Sequence, residues 1–412
     1  MTWIKATTLA CCLVLQSCSG SLAGAGLHYG LDYDVSIRGN VANVSLRVTQ
    51  RDGALKRITL VDFNHQTLTH ADGVAAVSDR GTTWQVPSTG GQISWRVVID
   101  HQRQSGSVDA GVGDAWGLFR AEDLIPAIAS VSRPKADAVT RLRVSPPKDW
   151  RVYTPYRLDD EGWYEVDDDD RRFDRPDGWI LIGQASARRD LIADTRVAVA
   201  APQGIGARRQ DTLAFLRWHL PALRQVFPQF PDRLLVVMAP DPYFRGGLSA
   251  PNSLYLHVER PLISGNGTST LLHELIHIGF GGRAPAGEDW IVEGIAEYYS
   301  ARLLQRAGTV SSTRFDETLQ DLQRWGDSID TLIAQSAQGP LKARAAVIFA
   351  SIDADIAAAS NGEKSLDDVV ALLAQRDTPV DLTLLRETVS LVLGSSVASL
   401  DDAALPGYPL RQ

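Results

Sequence analysis

Residues 273–299 read HELIHIGFGGRAPAGEDWIVEGIAEYY, and this stretch constrains the fold more than any other. His273 and His277 are four residues apart. On a helix their side chains stack on one face, about 5–6 Å apart, close enough for two imidazoles to share one tetrahedral zinc. Glu274, a quarter turn round, can reach a metal-bound water without ligating the metal. Ser269 or Thr268 offers a start for this helix, and the GFGG that follows offers a stop. Glu293 and Glu297 repeat the four-residue spacing on a second predicted helix, with Gly294 leaving room for close approach to the first. A chance H-E-x-x-H in a chain of this His and Glu content has an expectation of roughly 0.004, which argues against accident.

Zinc needs a third protein ligand. All three cysteines (Cys11, Cys12 and Cys18) fall near the N-terminus, so the rest of the chain offers only His and carboxylate donors. One of Glu293 and Glu297 can complete a His₂Glu set with a fourth position open. The other can hold the free N–H of a ligand histidine and fix its tautomer.

The N-terminus places Lys5 before the apolar run Ala6–Leu15, which is too short to span a bilayer and fits a secretory signal over residues 1–25. Processing is expected before Cys18, as in a lipoprotein signal, or after Ala25. Either implies export across an inner membrane to a periplasmic or outer-membrane location, with membrane contact only through a lipid on Cys18. At 412 residues, 44% hydrophobic and 22% charged, the chain can build two or three packed domains. Its net charge of −8, without a basic cluster, gives no footprint for nucleic acid.

Residues 27–200 alternate as strands do, with Val44, Leu46 and Val48 on one face and Ile93, Trp95, Val97 and Ile99 on another. The acidic run Asp167–Asp170 lacks the spacing of a calcium loop and reads as a solvated connection. After Pro202 the pattern turns mixed: an amphipathic helix interrupted at Pro221, a buried strand at RLLVVMAP, and a further strand at NSLYLHVE. Helical periodicity dominates from 312 to 396. The expectation is an α+β multidomain chain: a β-rich N-terminal domain (27–200), an α/β zinc domain (201–310) and a helical C-terminal domain (311–412).

HELIH followed by VEGIAEYY resembles the gluzincin metallopeptidases, and most closely the bacterial glycyl aminopeptidase family, related to the aminopeptidase N family. GGLSAPNS (Gly246 to Ser253) is similar to that family's substrate-edge segment, and AVIFASIDADIAAASNGEKSLDDVV to its downstream helix pair. The likeness covers roughly residues 200–375. It implies a thermolysin-like catalytic domain with one Zn²⁺ per chain, held by His273, His277 and Glu293. It makes Glu274 the general base and gives Glu297 the histidine-orienting role. Gly246, Gly247, Leu248, Ser253 and Tyr255 would touch a peptide or protein substrate, with SLYLH as the exposed edge strand. Lys342 takes the position of the family's oxyanion-stabilising tyrosine; Tyr243, Tyr255 and His257 are alternatives for that role. Fifteen residues separate His277 from Glu293, fewer than is usual in the aminopeptidase N group. Ser249-Ala250 replaces the Glu-His that would anchor a free α-amine, which opens an endopeptidase reading beside the aminopeptidase one. A zinc-containing peptide-binding module with weak or no catalysis is the alternative class. The oligomeric state is not legible.

Overall fold

The computed structural model describes residues 27–61, 63, 66–103, 106–166, 173 and 175–408. The signal segment, Cys18 and Asp167–Asp170 lie outside these described residues.

Strand alternation builds the N-terminal half. Strands β1 (Leu27–Arg38), β2 (Val41–Thr49) and β3 (Gly90–Val98) bury every second side chain, among them Tyr29, Leu31, Val44, Leu46, Ile93 and Trp95. β1 and β2 pair antiparallel, and so do β2 and β3, within a seven-stranded sheet. A four-stranded and a five-stranded sheet complete this region. β4 (Trp179–Gly183), in the five-stranded one, is buried on both faces because it packs against the next sheet.

That next sheet carries the site. It runs in the order β5 (Ala185–Ile192), β6 (Thr195–Pro202), β7 (Arg233–Ala239), β9 (Ser253–His257), β8 (Gly247–Ala250). β6, β7 and β9 are parallel neighbours, while β8 folds back antiparallel on β9 through Pro251-Asn252 and becomes the edge. SLYLH is therefore an interior strand, which corrects the expectation of an exposed edge. Its five residues are all buried, as a strand flanked on both sides requires.

Helix α1 (Arg209–Val226) follows β6 and runs unbroken through Pro221, against the expected interruption. Pro221 and Arg217, whose carbonyl loses its helical donor, both face solvent, where water replaces the bond. Helix α2 (Thr270–Phe280) starts where Ser269 Oγ accepts from Leu272 N at 3.3 Å and stops at Gly281, φ 61°. Helix α3 (Trp290–Arg306) is buried almost all round, between α2 and the helices that follow: α4 (Ser312–Gly326), α5 (Pro340–Ala359), α6 (Leu366–Leu373) and α7 (Leu382–Leu393). A Cβ on Gly294 would lie 2.9 Å from Ala345 Cβ and 2.8 Å from Phe349 Cδ2, so this glycine lets α3 approach α5, not α2 as expected. Behind the site, Tyr298 donates to the Asp353 carboxylate and Tyr299 to Asp367 Oδ1, which fixes the rotation of α3.

The molecule is thus α+β and multidomain, with β-rich N-terminal sheets and a helical C-terminal region. One hydrophobic core runs from Ile192 to Leu405 and passes without a break from the sheet and α2 into the C-terminal helices. No helix among the described residues is long and apolar enough to cross a membrane.

Candidate metal centre

α2 and α3 pack face to face, and the histidine pair of one meets the glutamate pair of the other. His273 Nε2 and His277 Nε2 approach to 3.1 Å. The Glu293 carboxylate lies 3.3 Å from each of these nitrogens. Zinc ligands at about 2.0–2.1 Å in tetrahedral array stand about 3.3 Å from one another, so the spacing is that of a metal ligand set. Without a metal this spacing suits a hydrogen bond in which one ring's Nε2–H donates to the other. His273, His277 and Glu293 are the described residues whose ligand atoms cluster in this way, and they could hold a metal ion.

The surrounding charges complete the set. Glu297 Oε2 is 3.0 Å from Nδ1 of His273, the nitrogen turned away from the cluster. Without a metal, burial works against a charged His273, yet Glu293 and Glu297 outweigh it and raise the imidazole to about 9. Burial likewise opposes the Glu293 carboxylate, but hydrogen bonds to His273 and His277 hold it well below the usual carboxylate range. Lys342, from the first turn of α5, places Nζ 3.8 Å from both Glu293 and Glu297.

Glu274 is 7% exposed, and no hydrogen bond or ion pair with another described residue engages its carboxylate. Its carboxylate is therefore free to engage a group that the protein does not itself supply. Its side chain lies against Gly247 of the edge strand, where a Cβ would stand 2.6 Å from Glu274 Cγ and 2.9 Å from Oε1. Gly247→Ala should accordingly displace Glu274 and lower any hydrolytic rate by about 10–100-fold, a cost typical of misplacing a catalytic group by an ångström. Bound metal, measured by elemental analysis, should not change.

The edge itself is ordered. Gly246 O accepts from His257 N, and the register makes Leu248 and Tyr255 the next bonded pair. By the alternation of an antiparallel ladder, Gly247 and Ser249 turn their N–H and C=O outward. Leu248 O also accepts from the indole N–H of Trp179 at 3.0 Å, so β4 braces the edge strand from behind.

The structure thus brings together His273, His277, Glu293, Glu297, Glu274, Lys342 and Gly247, with Gly246 and Leu248 in the same edge segment. It does not bring the side chains of Ser253 or Tyr255 to this group. Ser253 Oγ is buried between Trp179 N and Pro251 O, and the Tyr255 hydroxyl donates to Phe244 O at 2.8 Å. Tyr243, an alternative oxyanion group, donates to Gly111 O, and His257 lies beside Asp241. Ser249 stands out in the sequence only as a departure from the resembled family, and Trp179 not at all. A lone Trp in a buried strand reads as core, and nothing local signals that its indole reaches the edge.

The sequence matches no protein-family model and no curated protein. Solved structures do match. An aminopeptidase N family protein from Idiomarina loihiensis aligns at 16% identity with a TM-score of 0.61, over 93% of this chain and 74% of its own. An M1 zinc metallopeptidase from Deinococcus radiodurans aligns at 16% identity and 0.61, over 94% of this chain and 95% of its own. Leukotriene A4 hydrolase from Saccharomyces cerevisiae aligns at 15% and 0.57, over 94% and 69%. The chain therefore has the fold of the aminopeptidase N family, that of the M1 zinc metallopeptidases.

Proposed function

We propose that this chain is a zinc-dependent metallopeptidase of gluzincin type. It would bind one Zn²⁺ through His273, His277 and Glu293 and hydrolyse peptide bonds with Glu274 as general base. The observation that carries the reading is the unpartnered Glu274 carboxylate, set between a tetrahedrally spaced ligand trio and the outward-facing backbone of an edge strand. Zinc held by the trio supplies Lewis acidity toward a water and a carbonyl oxygen.

The protein's own groups do the rest. An extended peptide adds to the outer edge of β8, where Gly247 and Ser249 offer its backbone one N–H and one C=O each. Glu274 takes a proton from the attacking water and delivers it to the leaving amine. Glu297 holds His273 through Nδ1, so that Nε2 carries the lone pair toward the metal. Lys342 offers a cation to the developing oxyanion in place of a tyrosine hydroxyl.

A quenched fluorescent peptide tests this reading. Hydrolysis should stop on chelation and return with one equivalent of zinc; hydrolysis indifferent to chelator would refute it. A second reading, a peptide-binding module with little catalysis, is favoured by Lys342 lying within ion-pair distance of two carboxylates. Zinc binding and peptide binding without turnover would select it.

A further inference from the structure

Tyr298, Tyr299 and Arg306 hold the middle and the far end of α3 through Asp353 and Asp367. Glu293 sits at the other end, in the first turn, where its backbone N–H donates to Asp289 O at 3.1 Å. Three segments distant in sequence hold this end. Asp289 Oδ2 accepts from Ala337 N at 2.7 Å, and Glu288 Oε2 accepts from Leu382 N, the first residue of α7, at 2.8 Å. The third tie is Tyr408.

One hydroxyl makes that tie twice. The Tyr408 oxygen accepts from the indole N–H of Trp290 at 3.0 Å, and its O–H donates to Glu288 Oε1 at 3.3 Å. The Trp290 and Tyr408 rings also stand edge to face, with centroids 6.3 Å apart. Trp290, the first residue of α3, is fully buried against Phe349 of α5, and its indole has no second acceptor among the described residues. Tyr408 is itself anchored. Leu332 N donates to Pro406 O at 2.9 Å, and Leu405 is buried in the core that α3 shares.

A metal ligand makes this end of the helix exacting, because ligand distances tolerate only about 0.2 Å. An indole N–H left unpaired in the core is costly, so without the Tyr408 hydroxyl Trp290 must move toward another acceptor. The turn that joins Trp290 to Glu293 moves with it. We propose that Tyr408 is a positioning residue for the metal centre, holding the first turn of α3 so that Glu293 meets His273 and His277 at ligand spacing. The inference rests on the metal reading above, not on turnover.

Tyr408→Phe removes the hydroxyl and keeps the ring. Equilibrium dialysis of the folded full-length protein against a zinc buffer should show Kd raised about three- to tenfold, less than the loss typical of a group that touches the ligand itself. Tyr408→Ala, which also removes the stacked ring, should exceed it. Tyr153→Phe is the control, since the buried Tyr153 hydroxyl donates to Ala185 O at 3.0 Å on the opposite edge of the sheet from β8. It should lower the midpoint of chemical unfolding and leave the zinc Kd unchanged, because affinity measured on folded protein does not follow stability. Equal zinc affinity in wild type and Tyr408→Phe, or a loss of the same size in Tyr153→Phe, overturns the inference alone. A wild type that binds no zinc refutes the metal reading, and the positioning role falls with it. Zinc bound without peptide cleavage refutes the peptidase reading and leaves the dialysis result to decide this one.

Discussion

Glu274→Gln is expected to lower kcat/KM on any cleaved peptide by about 10²–10⁴-fold, the contribution typical of a general base. Gln keeps the shape and loses only the ability to take a proton. The carboxylate it replaces makes no hydrogen bond within the described protein, so nothing structural is broken. Stability to denaturant should stay the same, because the carboxylate has no partner to lose. Zinc content should be unchanged, since Glu274 is not among the clustered ligand atoms. That combination separates a lost base from a damaged fold. A loss of less than about tenfold would remove Glu274 from the chemistry.

The next largest effect should fall on the metal. Replacing an outer partner of a ligand histidine weakens metal affinity by about 10–100-fold, which is the range expected for Glu297→Gln. Glu293→Gln should exceed it, because it removes a donor oxygen rather than the group orienting a donor. Equilibrium dialysis against a zinc buffer gives both numbers, and equal losses would place the two glutamates in the same role.

The metal-free protein carries a related signature in pH. Glu293 is held below its ordinary 4.5, so its contribution is present above that value and is lost as acid protonates it. His273 is raised from 6.5 to about 9, so its contribution is complete below 6.5 and is lost as pH rises toward 9. The cluster should therefore stabilise the apo form most between about pH 4.5 and 6.5, and Glu293→Gln should flatten that maximum.

What the sequence disclosed follows the range of the interactions involved. The two histidines and two glutamates were legible because helical spacing is a local property, and so were a cap at Thr268 or Ser269 and a stop within GFGG, which the structure narrows to Ser269 and Gly281. Alternation along β1–β3 placed Val44, Leu46, Ile93 and Trp95 inward for the same reason. Strand order is not local. SLYLH and GLSA are both plausible edges until the hairpin at Pro251-Asn252 is known, and the wrong one was favoured. One clue was available: SLYLH has apolar residues at successive positions (Leu254, Tyr255 and Leu256), a pattern of strands covered on both faces. Gly294 was legible as a close-approach glycine, but which helix approaches depends on the distant Ala345 and Phe349. Pro221 misled because its effect depends on whether the orphaned carbonyl meets water. The brace from Trp179 joins segments far apart in sequence, and no spacing rule reaches it.

The central claim is that this site cuts peptide bonds. It is tested most directly by mass spectrometry of a mixed peptide library incubated with zinc-loaded protein beside the same protein carrying Glu274→Gln. The account predicts new termini with wild type that vanish with the variant. Internal cuts would fit an edge strand bearing Ser249-Ala250 in place of an amine anchor, and stepwise trimming would require an anchor elsewhere. No cleavage by zinc-loaded wild type, or the same products from Glu274→Gln, would contradict it.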